Sequence, residues 1–413
     1  MLAVIGSMGA TTLAGCSGGS SGDESDGNAT TTTGGDGSGG GGSDGSDATT
    51  TAEESDVGMP IWGQRKANAA GTGAVDAQAI TTGNPSSYSV SLPVNRDVEY
   101  HPFYDPVFTG NALIHRGEIR DKSTGETVRE LPATETATPA LRDGRLYMVA
   151  GADVIAVDIE SNEELWRETT GKNGIGIVAT SDHVFIALGD GITALSASDG
   201  SREWNVSTGA LNDKERGIFA VADGRLYAST PRQRGTTVHD ISDGTQLWSV
   251  DGRGVSQLGP QGTLYFNEGG AVDSGTVTRF DSEGSQMWET RPSGSTSPVA
   301  AEEDRVYLSD NDSPMVTTVS AEDGSEQWTT ELPQGIADLA VGSDRVYALG
   351  SGRDDTTRLF ALNKQSGEQE NIYALDSDAS TPRGAGGVTV GGGVVSLMRS
   401  NINSNRMQVL TDN

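Results

Sequence analysis

The sequence predicts an all-β fold: an eight-bladed β-propeller of four-stranded antiparallel blades. Two columns of residues and one recurrent turn carry that expectation. The first column is an apolar or aromatic residue just after a turn: Leu113, Tyr147, Phe185, Tyr227, Tyr265, Tyr307, Tyr347 and Val395, in steps of 34 to 48 residues. The second lies four residues past a turn Gly or Asn: Arg129, Trp166, Trp204, Trp248, Trp288, Trp328 and Asn371, in steps of 37 to 44 residues. A repeat near that period has room for the four short strands of a propeller blade. The turn before the second column is Asp-Gly at 199–200, 243–244 and 323–324, Glu-Gly at 283–284 and Ser-Gly at 366–367. Glycine supplies the positive φ that a tight hairpin requires.

Residues 131–166 show how one unit is built. A first strand follows Thr138-Pro139, and LYMVA (146–150), VIAVD (154–158) and EELWRE (163–168) supply the other three. Alternating β-branched and aromatic residues between Gly, Asp and Asn are strand signals. No segment carries a helical period. The first column has eight members and the second has seven, so the last unit is one strand short. A ring that does not close leaves two raw edges. The spacing of the columns places the missing strand near residues 89–96, where YSVSLPV (88–94) alternates. Pro93 suits a strand end. Ile61-Trp62 is the rival closing strand, and a seven-bladed ring is the alternative architecture.

The segments VDIESNEELW (157–166), HDISDGTQLW (239–248) and VSAEDGSEQW (319–328) follow Asp-x-x-x-Gly-x-x-x-Trp closely. That motif resembles the tryptophan-docking repeat of the PQQ-like β-propeller family. The family includes quinoprotein alcohol dehydrogenases and BamB-like outer-membrane assembly lipoproteins. The resemblance covers residues 105–410. It implies that Trp166, Trp204, Trp248, Trp288 and Trp328 each pack against the next blade. Arg129 and Asn371 stand where the pattern has Trp.

Residues 1–16, MLAVIGSMGATTLAGC, hold an uncharged, mostly apolar or small run before Cys16, the sole cysteine. The run is shorter than the ~20 residues that span a bilayer and has the character of a signal-peptide core. Leu13-Ala14-Gly15-Cys16 resembles a lipobox, which implies lipidation of Cys16 and a lipid-anchored protein on the extracytoplasmic face of the cell membrane. No Lys or Arg precedes the apolar run. Residues 17–56 lack aromatic residues and are rich in Gly, Ser, Asp and Thr. Such composition cannot bury a core, and a disordered tether is expected, with an r.m.s. span of roughly 35 Å. Residues 57–86 form a transition arm, and 87–413 the propeller. Asn28, Asn205 and Asn311 each open an Asn-x-Ser/Thr glycosylation sequon.

Asp and Glu number 58 against 28 Lys and Arg, a formal charge of −30, and only five of the basic residues are Lys. A halophilic, haloarchaeal source is therefore expected. In molar salt the Debye length shrinks to about 3 Å and self-repulsion is screened. The acidic balance argues against nucleic acid and anionic lipid headgroups as direct partners. A monomer is expected.

The chemistry-bearing residues are sparse. None of the pairs among His101, His115, His183 and His239 has metal-ligand spacing. His183 and His239 fall at variable repeat positions, as surface or loop residues. His101 and Tyr104 belong to an aromatic loop. Asp310-Asn311-Asp312 and Asp354-Asp355 do not resemble a calcium loop. The quinoprotein family's adjacent Cys pair is missing, as are G-x-S-x-G, P-loop and dinucleotide fingerprints. PQQ and Ca²⁺ are therefore unsupported as cofactors, no catalytic or metal-binding residue is assigned, and an enzyme is not expected. The function expected is a non-catalytic binding or scaffolding module for a protein or small ligand. The alternative is a PQQ-dependent dehydrogenase or another ligand-dependent enzyme. The connections 209–217, 231–236, 267–275, 309–315 and 350–357 are the expected recognition surface, because propeller loops carry function.

Overall fold

In every blade the second strand pairs with the first and third, and the fourth is outermost, so the chain zigzags outward from the centre. The computed structural model describes residues 86–92, 106–109, 111–208, 219–230, 235–251, 256–268, 275–310, 313–351, 358–375, 386–391, 394–401 and 404–411. All fall in one unit, Glu53–Asn413. Among them are eight four-stranded antiparallel sheets. Seven are built from consecutive strands and span 107–130, 140–169, 174–207, 219–251, 256–290, 298–331 and 335–374; we number these blades one to seven. The eighth combines the strands Gly386–Gly391, Val394–Asn401 and Ser404–Thr411 with the N-terminal strand Ser86–Leu92.

That N-terminal strand takes the outermost position of the eighth sheet, with Tyr88 opposite Val409 and Val90 opposite Met407. It begins two residues before the expected YSVSLPV segment and ends at Leu92. Pro93, expected at a strand end, lies outside the described residues. Among the described residues the propeller begins at Ser86. Phe108 and Leu113 of the first blade share a buried cluster with Val388, Leu397 and Val409 of the eighth, so the two ends of the chain meet in one core.

Register explains the two residue columns. In blade two Tyr147, Ala156 and Trp166 lie in one row across three strands. Residues opposite one another on adjacent strands share a face. The small Ala156 between them lets the rings of Tyr147 and Trp166 approach to 5.9 Å. The same row is Phe185–Ala194–Trp204 in blade three and Tyr347–Ala361–Asn371 in blade seven. The first column needs correcting at both ends. The structure puts Ile114, not Leu113, in the row that leads to Arg129, and Ser396, not Val395, in the row that leads to Tyr88. Neither end blade has an aromatic residue there, so apolar character alone could not distinguish neighbouring positions.

The blades are tied together at one backbone position. The indole N–H groups of Trp166, Trp204, Trp248, Trp288 and Trp328 donate to the carbonyls of Ala197, Ile241, Ser282, Ala321 and Lys364 at 2.9 to 3.2 Å. Each acceptor lies at the start of the next blade's turn between third and fourth strands. Arg129 reaches the equivalent carbonyl, that of Ile159, at 3.0 Å, and Glu160 O at 2.7 Å. A guanidinium thus replaces an indole donor at this junction, which spacing in the sequence could not show.

The turn glycines face those rings. A Cβ on Gly200, Gly244, Gly284, Gly324 or Gly367 would come within 2.5 to 2.8 Å of the preceding blade's Trp. Blade two has Asn162 at this turn position, also at positive φ (62°). The preceding blade has Arg129 in place of a Trp, and the Asn162 side chain donates to Glu130 O at 2.9 Å.

Candidate functional site

Antiparallel zigzag strands divide the connections between two faces. Turns joining first to second and third to fourth strands lie on one face, where the docking contacts are made. Connections joining second to third strands, and one blade to the next, lie on the other. All five connections expected to form the recognition surface belong to that second face. Second-to-third links are two-residue turns in the first three blades, at 116–117, 151–152 and 189–190. In blades four to seven the corresponding links are 231–234, 269–275, 309–314 and 352–357. Most residues of these longer links, Asn311, Asp312, Asp354 and Asp355 among them, lie outside the described residues, as do Cys16, Asn28, His101, Tyr104 and Ile61-Trp62.

The described part of this rim is built most fully between blades five and six. The connection 291–297 is pinned from both sides. Asn267 Nδ2 donates to Thr296 Oγ1 at 2.9 Å from blade five. In blade six, Asp310 accepts from the amides of Thr296 and Ser297 at 3.1 and 2.9 Å. Thr317 Oγ1 accepts from Ser295 N at 3.0 Å, and Ser295 Oγ donates to Met315 O at 2.7 Å. Glu326 accepts from both the amide and hydroxyl of Ser293, and these bonds hold its carboxyl below the usual range. Asp310 is thus a structural acceptor for two amides. At the first inter-blade connection, Glu135 plays the same part and accepts from the amides of Arg116 and Gly117. Burial pushes the Glu135 carboxyl up. The face is a set of backbone loops fixed by short polar side chains, suited to presenting a rigid surface.

Among the described residues the histidines do not converge. His183 stacks on Phe185 at 5.7 Å and lies 3.3 Å from Glu203. His239 corrects the surface reading: it is 3% exposed, with Nδ1 3.0 Å from Gly244 O and Nε2 3.0 Å from Thr237 Oγ1. Burial pushes its pKa down. His115 is buried as well. Among the described residues no three His, Cys, Asp or Glu side chains are grouped to hold a metal ion.

The innermost strands bear on cofactor binding. A polyanionic quinone such as PQQ needs cations facing it. Among the described residues of these strands, the charged side chains are Arg142 and Asp338. Arg142 lies 3.5 Å from Asp143, and Asp338 accepts from the amide of Val388 at 3.0 Å.

A family model described as outer membrane protein assembly factor BamB matches residues 115–250 and 273–409. The chain belongs to the BamB family. BamB from Moraxella catarrhalis superposes with a TM-score of 0.55 at 16% identity, covering 79% of this chain and 99% of that one. Quinohemoprotein alcohol dehydrogenase from Comamonas testosteroni gives 0.54 at 12% identity, covering 84% and 80%. At these identities the likeness is one of fold. Comparison with curated proteins found no match.

Proposed function

We propose that this chain is a lipid-anchored, extracytoplasmic propeller that holds a protein partner on the rim formed by its inter-blade and second-to-third-strand connections. The observation that carries the reading is the match to the BamB family over both halves of the propeller. The clustering of longer links in blades four to seven supports it, because one side of one face is then the least repetitive part of the molecule. Lipidation of Cys16 anchors the head, and residues 17–56 act as the tether. The acidic balance, a net charge of −30, suits a high-salt exterior.

The test is a pull-down from native-host membranes in molar salt, with the intact chain as bait. A stoichiometric protein that is lost when links 231–234 and 269–275 are replaced by two-residue turns supports the reading. Turnover of alcohols or sugars after addition of PQQ and Ca²⁺, followed by dye reduction, would overturn it in favour of the dehydrogenase alternative.

A further inference from the structure

Asn205 lies in Arg202–Ser207, the outermost strand of the third blade. It is opposite Thr193 on one side, and within the sheet its other edge has no partner strand. The strand period of two sends Trp204 and Val206 into the core shared with Val221 and Leu226 of the fourth blade. The same period leaves Asn205 and Ser207 exposed together on the opposite face. Asn205 and Ser207 thus lie on one exposed face of an open edge, where the Ser207 hydroxyl donates to Asp190 O at 3.2 Å.

Asn is poorly suited to a strand interior. Other blade asparagines are held by their amides: Asn162 to Glu130 O, Asn267 to Thr296 Oγ1 and Asn363 to Glu370 Oε1, each at 2.9 Å. Among the described residues, Asn205 makes no comparable bond.

We propose that Asn205 is an N-glycosylation site. The Asn205 amide nitrogen attacks C1 of a polyprenyl-phosphate-linked oligosaccharide presented by a host transferase. The C1–N bond forms, the C1–O bond to phosphate breaks, the amide proton passes to a transferase base, and the polyprenyl phosphate leaves. The Ser207 hydroxyl is the second determinant that a transferase reads. A glycan here shields an unpaired strand edge, where edge-to-edge association would otherwise start. The proposal rests on the export of the chain.

The experiment uses full-length protein from its native host. Trypsin releases residues 203–214, between Arg202 and Lys214, with Asn205 as the sole sequon. The expected result is a peptide carrying a mass increment that fragments by loss of sugar units. The increment disappears in Asn205→Gln and Ser207→Ala and persists in Ser207→Thr. An unmodified peptide, from a chain that protease added to intact cells can reach, overturns glycosylation and leaves export standing. A chain shielded from that protease overturns both.

Discussion

At the scale of the residue, each docking Trp makes two separable contributions: a ring packed on a Cβ-free turn and an N–H bonded to the next blade. Trp328 is 9% exposed, donates to Lys364 O at 3.2 Å and faces Gly367. Trp328→Phe keeps a ring and loses the bond, and should cost about 1 kcal/mol. Trp328→Ala should cost about 3–5 kcal/mol. Chemical denaturation that gave equal losses would show the indole N–H to be the whole of the contact. The Arg129–Asn162 junction makes a sharper prediction. Arg129→Trp should destabilise the wild type, because Asn162 bears a Cβ where the other turns have Gly. In an Asn162→Gly background the penalty should fall by about 1 kcal/mol or more, read as coupling in a double-mutant cycle. His239 predicts a pH dependence. Burial lowers its folded pKa, so the folded state binds fewer protons than the unfolded state below an ordinary value of about 6.5. Its contribution is fully present above that value and is lost as pH falls through the folded pKa. His239→Leu places there the residue found at the corresponding row positions Leu195 and Leu362. The melting-temperature difference between wild type and variant should change between pH 7 and 5 in the variant's favour.

At the scale of the element, the decisive piece is the strand Ser86–Leu92. It covers the edge of Ser404–Thr411 and brings the two chain ends into one sheet. Deleting residues 86–92 should leave that edge open. The expected outcome is a lower melting temperature together with concentration-dependent association, measured by calorimetry and light scattering. A monomeric deletion variant of unchanged stability would show that closure depends on contacts between blades alone. The closing strand was legible in the sequence because period-two alternation in YSVSL stood at the repeat spacing. Its bounds were less so, since Ser86 and Ser87 carry no hydrophobic signal and pair through their backbones.

At the scale of the whole molecule, charge dominates. A formal charge of −30 on 413 residues favours expansion in dilute buffer. The melting temperature should rise with KCl, most steeply below about 1 M, where the Debye length falls to about 3 Å. A melting temperature flat in KCl would show that the charges are too dispersed to repel. The Asp residues of the turns do not add to this term simply. Asp158, Asp199, Asp240 and Asp323 are held below the usual carboxylate range by bonds from the Ser two or three residues on, so they remain ionised and locally satisfied.

The repeat, the strand count per unit, the positive-φ turns and the need for a closing strand are readable along the chain. All of these follow from local spacing and local conformational preference, which a linear chain displays directly. Which groups meet is a property of the folded chain alone. Folding set Arg129 beside Ile159, gave Asp310 to the amides of Thr296 and Ser297, and buried His239 between Gly244 and Thr237. It also fixed the register at the end blades, because Ile114 and Ser396 are chosen by pairing across strands and not by their own hydrophobicity. Such contacts join residues distant in the chain or set by neighbouring strands, and no period along the sequence encodes them.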